Sequence, residues 1–160
     1  MPEPENIIFF YRSSHPFSNF YPSKFVAHDL LFHWAEQYIM YRKALHFGDT
    51  QTAAQIMTAF TPAECKTLGR RVRGFEEGSW ARVLEQMAAE TISHKFSANR
   101  KLRAVLLQTG DALLVEASPS DRIWGIGFAE QDALDYRFQW GENILGMALM
   151  RVRKQLRSEL

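Results

Sequence analysis

Much of what would place a chain quickly is scarce here. There is one cysteine, Cys65, in 160 residues. No internal disulfide can form, and a reducing compartment suits the chain. Neither sign of charge dominates, since 19 Lys and Arg against 18 Asp and Glu leave +1. No bulk electrostatic argument therefore favours nucleic acid, and a local basic pocket for phosphate stays open. No apolar stretch approaches the roughly 20 residues of a membrane helix. The start, Met1-Pro2-Glu3-Pro4-Glu5, lacks the basic segment and apolar run of a signal peptide. These absences predict a soluble, cytoplasmic protein with no membrane association and no evident obligate protein partner. Internal repeats, low-complexity runs and linkers are missing too. The simplest organisation is one domain over residues 1–160, with its core at about 7–157. Such a chain can bury about 70% of its unfolded surface without a disulfide or metal.

Metal ligation has little to work with. His28 and His33 are out of helical register with one another, His15, His46 and His94 stand apart, and no Cys/His ligand pattern occurs. No metal and no cofactor is expected. Cys65 has no obvious activating neighbour, which fits a buried, inert thiol better than a nucleophile.

Local pattern is present throughout. Residues 7–11, Ile-Ile-Phe-Phe-Tyr, form a run rich in strand formers. Residues 24–33 look like two short strands around an Ala27-His28-Asp29 turn. Helical spacing runs from Ala35 to Phe47, and Asp49 can cap a helix reaching about Ala59. Thr61-Pro62-Ala63-Glu64 is a capping box with proline at the first helical position, opening a helix that ends near Gly69. A long helix is predicted over Ser79–Phe96, with Trp80, Leu84, Met87 and Thr91 on one stripe. Asn99 can cap the next helix, which stops before Gly110, and residues 112–116 read as a strand. The last helix starts near Asn143, with Leu145, Ala148, Leu149, Val152 and Leu156 inward and Arg151, Arg153, Lys154 and Arg157 late in it. Strands and helices do not alternate as in a doubly wound sheet. The fold class is α+β, mainly helical, with a small sheet of short strands.

Three runs pair polar groups with aromatic rings, a mixture suited to gripping a flat heterocycle. Glu36 and Lys43 are nearly two helical turns apart, so both project from one face with Met40 between them. A carboxylate and an amine there can act as base and nucleophile, or as a sugar clamp; the plainer reading is a solvated face. Asp121 precedes Ile123-Trp124-Gly125-Ile126-Gly127 in a loop. It could meet a ligand beside Trp124, with Gly125 letting the backbone come close, or it could bond its own turn. Gly125-Ile126-Gly127 is too short for a dinucleotide fingerprint. Phe17-Ser18-Asn19-Phe20 could hydrogen-bond a base or ribose, or be a turn pinned by buried Phe. Trp80 is core or pocket wall. Trp140-Gly141-Glu142-Asn143 could form a lid, with Asn143 first an N-cap candidate.

These pieces, with Phe9-Phe10-Tyr11, Ala35-Glu36-Gln37-Tyr38 through Lys43-Ala44, Leu68-Gly69-Arg70, Leu114-Val115-Glu116-Ala117-Ser118-Pro119 and Gly141-Glu142-Asn143 with Leu145-Gly146, resemble the NADAR, or YbiA-like, N-glycosidases. The likeness runs from about Ile7 to Leu156, and the order and spacing of the pieces carry it. It implies a compact, mainly helical α+β domain that hydrolyses an N-glycosidic bond between ribose and a nitrogen base. The implied partners are a small-molecule N-riboside, such as a phosphoribosylated pyrimidine of riboflavin synthesis, or ADP-ribosylated guanine, including guanine carried in single-stranded DNA. By the same likeness Glu36, Lys43 and Asp121 are the expected catalytic residues. Phe17, Ser18, Asn19, Trp124 and Gly125 are expected to bind substrate, and Arg12 and Arg122, beside these runs, to contact phosphate. Some relatives lead into the glutamate with Pro-Thr-Ser, whereas this chain has His33-Trp34-Ala35, a bulkier wall. The rival expectation is a module that binds ADP-ribose or a nucleotide without cleaving it.

Overall fold

The computed structural model describes residues 5–160; apart from Glu5, the acidic start read above lies outside them. In chain order the elements are β1 (Ile7–Phe10), β2 (Phe25–Ala27), β3 (Leu30–Phe32), α1 (Ala35–His46), α2 (Thr50–Met57), α3 (Pro62–Gly69), α4 (Glu77–Ser97), α5 (Arg100–Gln108), β4 (Leu113–Glu116), α6 (Glu130–Ala133), a 3-10 helix (Leu134–Gln139) and α7 (Ile144–Ser158). The fold is α+β and mainly helical. The strands make two separate pairs, β1 with β4 and β2 with β3. The chain groups into two compact units, residues up to Ser18 with Arg100–Leu160, and Asn19–Asn99.

In the unit Asn19–Asn99, β2 and β3 are antiparallel, with Phe25 opposite Phe32 and Ala27 opposite Leu30. His28 and Asp29 close the hairpin with φ of 53° and 61°, the left-handed geometry of a two-residue primed turn. Alternation sets the faces: Phe25, Ala27 and Phe32 are buried, while Val26 and Leu31 face water. Helix α1 is buried on most sides and packs on α2, α3 and α4. Gln37 ties it in, its Oε1 accepting from the His33 amide (2.8 Å) and its Nε2 donating to the Ile56 carbonyl (3.1 Å). Asp49 caps α2 by accepting from the Thr52 amide (3.0 Å). Thr61 caps α3 by accepting from the Glu64 amide (3.1 Å). Glu64 reaches back to the amide of Phe60, one residue before the cap, at 2.9 Å, so the reciprocal bond of a capping box is shifted by one position. Helix α4 begins two residues before Ser79 because Glu76 accepts from the amides of Gly78 (3.0 Å) and Ser79 (2.7 Å). Trp80, Leu84, Met87 and Thr91 are buried along it as the stripe predicts, Trp80 as core.

Two stability predictions arise here. A Cβ on Gly69 would lie 2.0 Å from Met40 Sδ and 2.9 Å from Met40 Cγ, so the Met40 side chain of α1 packs directly on this position and must move aside for any larger residue. Gly69→Ala is expected to destabilise by about 1–3 kcal/mol through overpacking, read as a lower urea midpoint. Asp49 also accepts from the Thr52 hydroxyl (2.6 Å) and the Arg73 amide (2.9 Å). The Arg73 backbone bond first, then the Thr52 bonds, hold its carboxyl well below the usual range. Such a group stabilises above the unfolded carboxyl pKa of about 4 and loses that contribution as pH falls toward the folded value. Asp49→Ala should lower Tm at pH 7, and the gap from the parent chain should shrink in melts at progressively lower pH below about 4.

In the other unit, β1 runs parallel to β4, Ile7 beside Leu113 and Phe10 beside Glu116. Val115, Ile126 and Ala133 form a buried cluster flanked by Phe9, Phe128 and Trp140. Helix α5 packs on α7, and α7 on β4. The inner face of α7 is the predicted one. Asn143 has left-handed φ (52°) and makes no side-chain cap bond. Its Oδ1 accepts from the Glu116 amide and its Nδ2 donates to the Leu114 carbonyl, both at 3.0 Å. The orphan amides at the start of α7 are met instead by loop carbonyls, Ile144 to Ile123 (3.0 Å) and Leu145 to Trp124 (3.1 Å). Gly141 and Glu142 also donate to Ile126 and Arg122 (both 2.8 Å). The segment 140–143 is thus fastened to the 122–126 loop, which does not suit the lid read from its sequence. Among the described residues no helix is long and apolar enough to cross a membrane.

Candidate functional site

Helix α1 carries Glu36 and Lys43 on one face, as their spacing predicts. Its amino end is held by the Asn19 carbonyl, which accepts from the Glu36 amide at 3.0 Å. This bond sets Asn19, a sequence candidate for ribose or base contact, beside the start of the helix. Glu36 is a buried residue, 9% exposed. Asn19 is also buried, and its Oδ1 has no hydrogen-bond partner. A buried acceptor without a donor is costly unless a ligand or water supplies one.

Lys43 is half-buried, with Nζ 4.5 Å from the centroid of the exposed Phe75 ring. Burial lowers its pKa below the usual lysine range; the Glu36 charge works against that shift and the Arg70 charge adds to it. A neutral amine is thus more accessible here than on an ordinary helix surface. The solvated-face reading therefore does not describe Glu36 and Lys43. Cys65 of α3 is fully buried; burial first, then the Glu36 and Glu64 charges, push its thiol up to about 12, which makes it inert as its sequence context predicts. Among the described residues no group of three or more His, Cys, Asp and Glu could hold a metal ion.

The unit containing β1 and β4 holds the other sequence candidates. Asp121 Oδ1 accepts from the amides of Ile123 and Trp124, both at 2.9 Å. One oxygen thus pins the turn, the plainer of its two readings. Trp124 is half-buried in that loop. Gly125 has a packing reason to be glycine: a Cβ would come within 2.7 Å of the Glu116 carbonyl. Phe17, expected from the resemblance to bind substrate, is instead the buried Phe that pins its turn. It is 1% exposed, with its ring edge-on to Phe10 at 5.6 Å, so neither face is open to ligand. Ser18 is buried beside it. Arg12 is exposed on a groove of about 500 Å³ lined also by Phe9, Phe10, Tyr11, His15 and Pro119. Arg122 is engaged within its own unit, donating to the Gln139 carbonyl (2.5 Å) with its guanidinium 5.7 Å from the Phe128 ring.

Sequence reasoning missed Lys95, which is fully buried, with Nζ 5.2 Å from the Phe96 ring and 5.8 Å from the Tyr21 ring. Burial lowers its pKa to about 7. The signal was available, because Lys95 continues the α4 stripe of Leu84, Met87 and Thr91 at the next i+4 position.

Comparison with known proteins gives this arrangement a context. The family described as the NADAR domain matches residues 9–157. N-glycosidase R617 of Acanthamoeba polyphaga mimivirus is 44% identical over 123 residues, covering 76% of this chain and 72% of the viral protein. N-glycosidase Npun_R5314 of Nostoc punctiforme is 35% identical over 156 residues, covering 96% of this chain and 94% of its own length. The NMR structure of the E. coli protein YbiA superposes with a TM-score of 0.79 at 30% identity, covering 97% of this chain and 87% of that one. With the family match spanning nearly the whole sequence, the chain belongs to the NADAR domain family.

Proposed function

We propose that this chain is an N-glycosidase that hydrolyses the bond between the anomeric carbon of a ribosyl group and a nitrogen base. The observation that carries the reading is the pairing of buried Glu36 with a half-buried, pKa-lowered Lys43 on one face of α1. Relatives named N-glycosidases, one of them matched over nearly its whole length, support it. In the proposed reaction the C1′–N bond breaks and its electron pair leaves with the base, which takes up a proton. Positive charge develops on the ribose, as in other glycoside cleavages. Glu36 stabilises that charge or activates the attacking water. By the family resemblance alone, Asp121 is assigned as a second acid and Trp124 as the ring that stacks on the base. Asn19 Oδ1 accepts from a ribose hydroxyl. In the covalent variant Lys43 Nζ bonds to C1′ as the base departs, the sugar opens to an imine, and water then releases the aldehyde and the free amine.

Two substrate classes fit, phosphoribosylaminopyrimidines and ADP-ribosylated guanine, the latter free or in single-stranded DNA. Purified protein is incubated with each, and released base or ribosyl product is read by chromatography. Release of base from either one establishes the activity and names the class. Tight binding with no release from either would replace the enzyme by a module that holds ADP-ribose or a nucleotide.

A further inference from the structure

The amine of Lys43 has a neighbour that the reaction just described does not use. Lys43 stands in the last turn of α1, where a four-carbon stem ordinarily carries its ammonium out into water. Among the described residues its side chain makes no hydrogen bond or ion pair. What it meets is the Phe75 ring, whose centroid lies 4.5 Å from Nζ. That is inside the reach of about 6 Å over which a ring face attracts a cation. Phe75 is large and apolar yet 46% exposed, so core burial does not account for where it sits.

The ring is pinned from both sides. Two residues before it, the Arg73 amide donates to Asp49 at the start of α2 (2.9 Å). Gly74 then turns the chain with φ of 79°, a conformation that favours glycine. One residue after it, Glu76 caps α4 by accepting from the amides of Gly78 and Ser79. Phe47, at the C-cap of α1, meets the Phe75 ring with centroids 5.3 Å apart and planes at 67°. The charges felt at Lys43 are those of Glu36 on its own helix and Arg70 at the C-cap of α3. Of the charged groups flanking Phe75, Arg73 is bonded to Asp49 (3.3 Å) and Gln51 (2.9 Å), and Glu76 is engaged in its cap and 4.0 Å from Arg82. A fixed aromatic ring therefore covers the amine. Its face attracts the ammonium, while its bulk keeps water away and favours the neutral form. Burial is the larger influence on Lys43 and lowers its pKa.

We propose that Phe75 is a positioning residue for Lys43, its ring fixing Nζ at the α1 face and closing that side of the amine to water. Its part in catalysis rests on the covalent form of the N-glycosidase reading, but its hold on Lys43 can be measured without substrate. The full chain, Phe75→Ala and the conservative Phe75→Tyr are acetylated over a series of pH values. Adducts on Lys43 are counted by mass after digestion, with the exposed Lys101 as the reference for reagent. Phe60→Ala removes a more exposed ring (88%) of the same unit and serves as the control. Phe75→Ala, with an unchanged circular-dichroism spectrum, should move the midpoint of Lys43 labelling up toward the ordinary lysine value of about 10.4. Phe75→Tyr should keep the parent midpoint, and so should Phe60→Ala. Base release at pH 7 should fall about tenfold or more in Phe75→Ala, because a displaced reacting group costs on the order of 10–10²-fold, and Phe75→Tyr should restore most of it. A midpoint unmoved in Phe75→Ala, an equal movement in Phe60→Ala, or undiminished base release in Phe75→Ala would overturn the proposal. A moved midpoint in a chain whose parent form releases no base would instead overturn the N-glycosidase reading alone.

Discussion

Glu36→Gln is expected to reduce turnover about 10²–10⁴-fold, the usual contribution of a positioned acid or base, while leaving ligand affinity within a few-fold. The substitution keeps the shape of the side chain and removes only the charge. Glu36 is buried at the start of α1, where the Asn19 carbonyl holds its backbone, so the amide should occupy the same place. A carboxylate there meets positive charge as the C1′–N bond lengthens, which an amide cannot do as well. Single-turnover release of base, with calorimetric binding of the same ligand, separates the two effects. Turnover within about threefold of the parent chain would remove Glu36 from the chemistry; an unchanged affinity alone would not.

Lys43→Met should be nearly as damaging, about 10²-fold or more in turnover if Lys43 is the nucleophile. Borohydride added during turnover is then expected to fix a ribosyl adduct on Lys43, seen by mass after digestion. Burial lowers the Lys43 pKa, so the reactive neutral amine accumulates at lower pH than for an ordinary lysine. The rate should rise with pH through that lowered pKa and level off early, and Lys43→Met should abolish this limb. An undiminished rate in Lys43→Met, with no trapped adduct in the parent chain, would assign the reaction to direct attack by water.

Where one element holds both partners, local sequence is enough to place them. Glu36 and Lys43 needed only the helical period to be placed on one face, and Thr61 and Asp49 only the short reach of a capping side chain. It is not enough where the partner is distant in the chain. Asn143 has the residue type of an N-cap, yet its amide bridges the backbone of β4 at Leu114 and Glu116. Phe17 stands in a polar turn that suits either a ligand contact or a buried anchor, and its packing as core against Phe10 decides for the anchor. Lys95 was passed over because a cation on an apolar stripe looks like an interruption of it.

The sequence alone determined much of the local architecture: the longer helices, most of their limits, the His28-Asp29 hairpin and the helix face that carries the carboxylate and the amine; α6 and the 3-10 helix after it stand at residues 130–139, where no helix was expected. The features so determined depend on residues within about four positions of each other, or on the alternation of a strand. Its motifs also carried the family. Tertiary structure decided the parallel pairing of Ile7–Phe10 with Leu113–Glu116 and the separation of the strands into two pairs. It also decided the burial of Glu36 and Lys95. Each of these depends on which surfaces meet, and a surface far away in the chain leaves no trace in a local window of sequence.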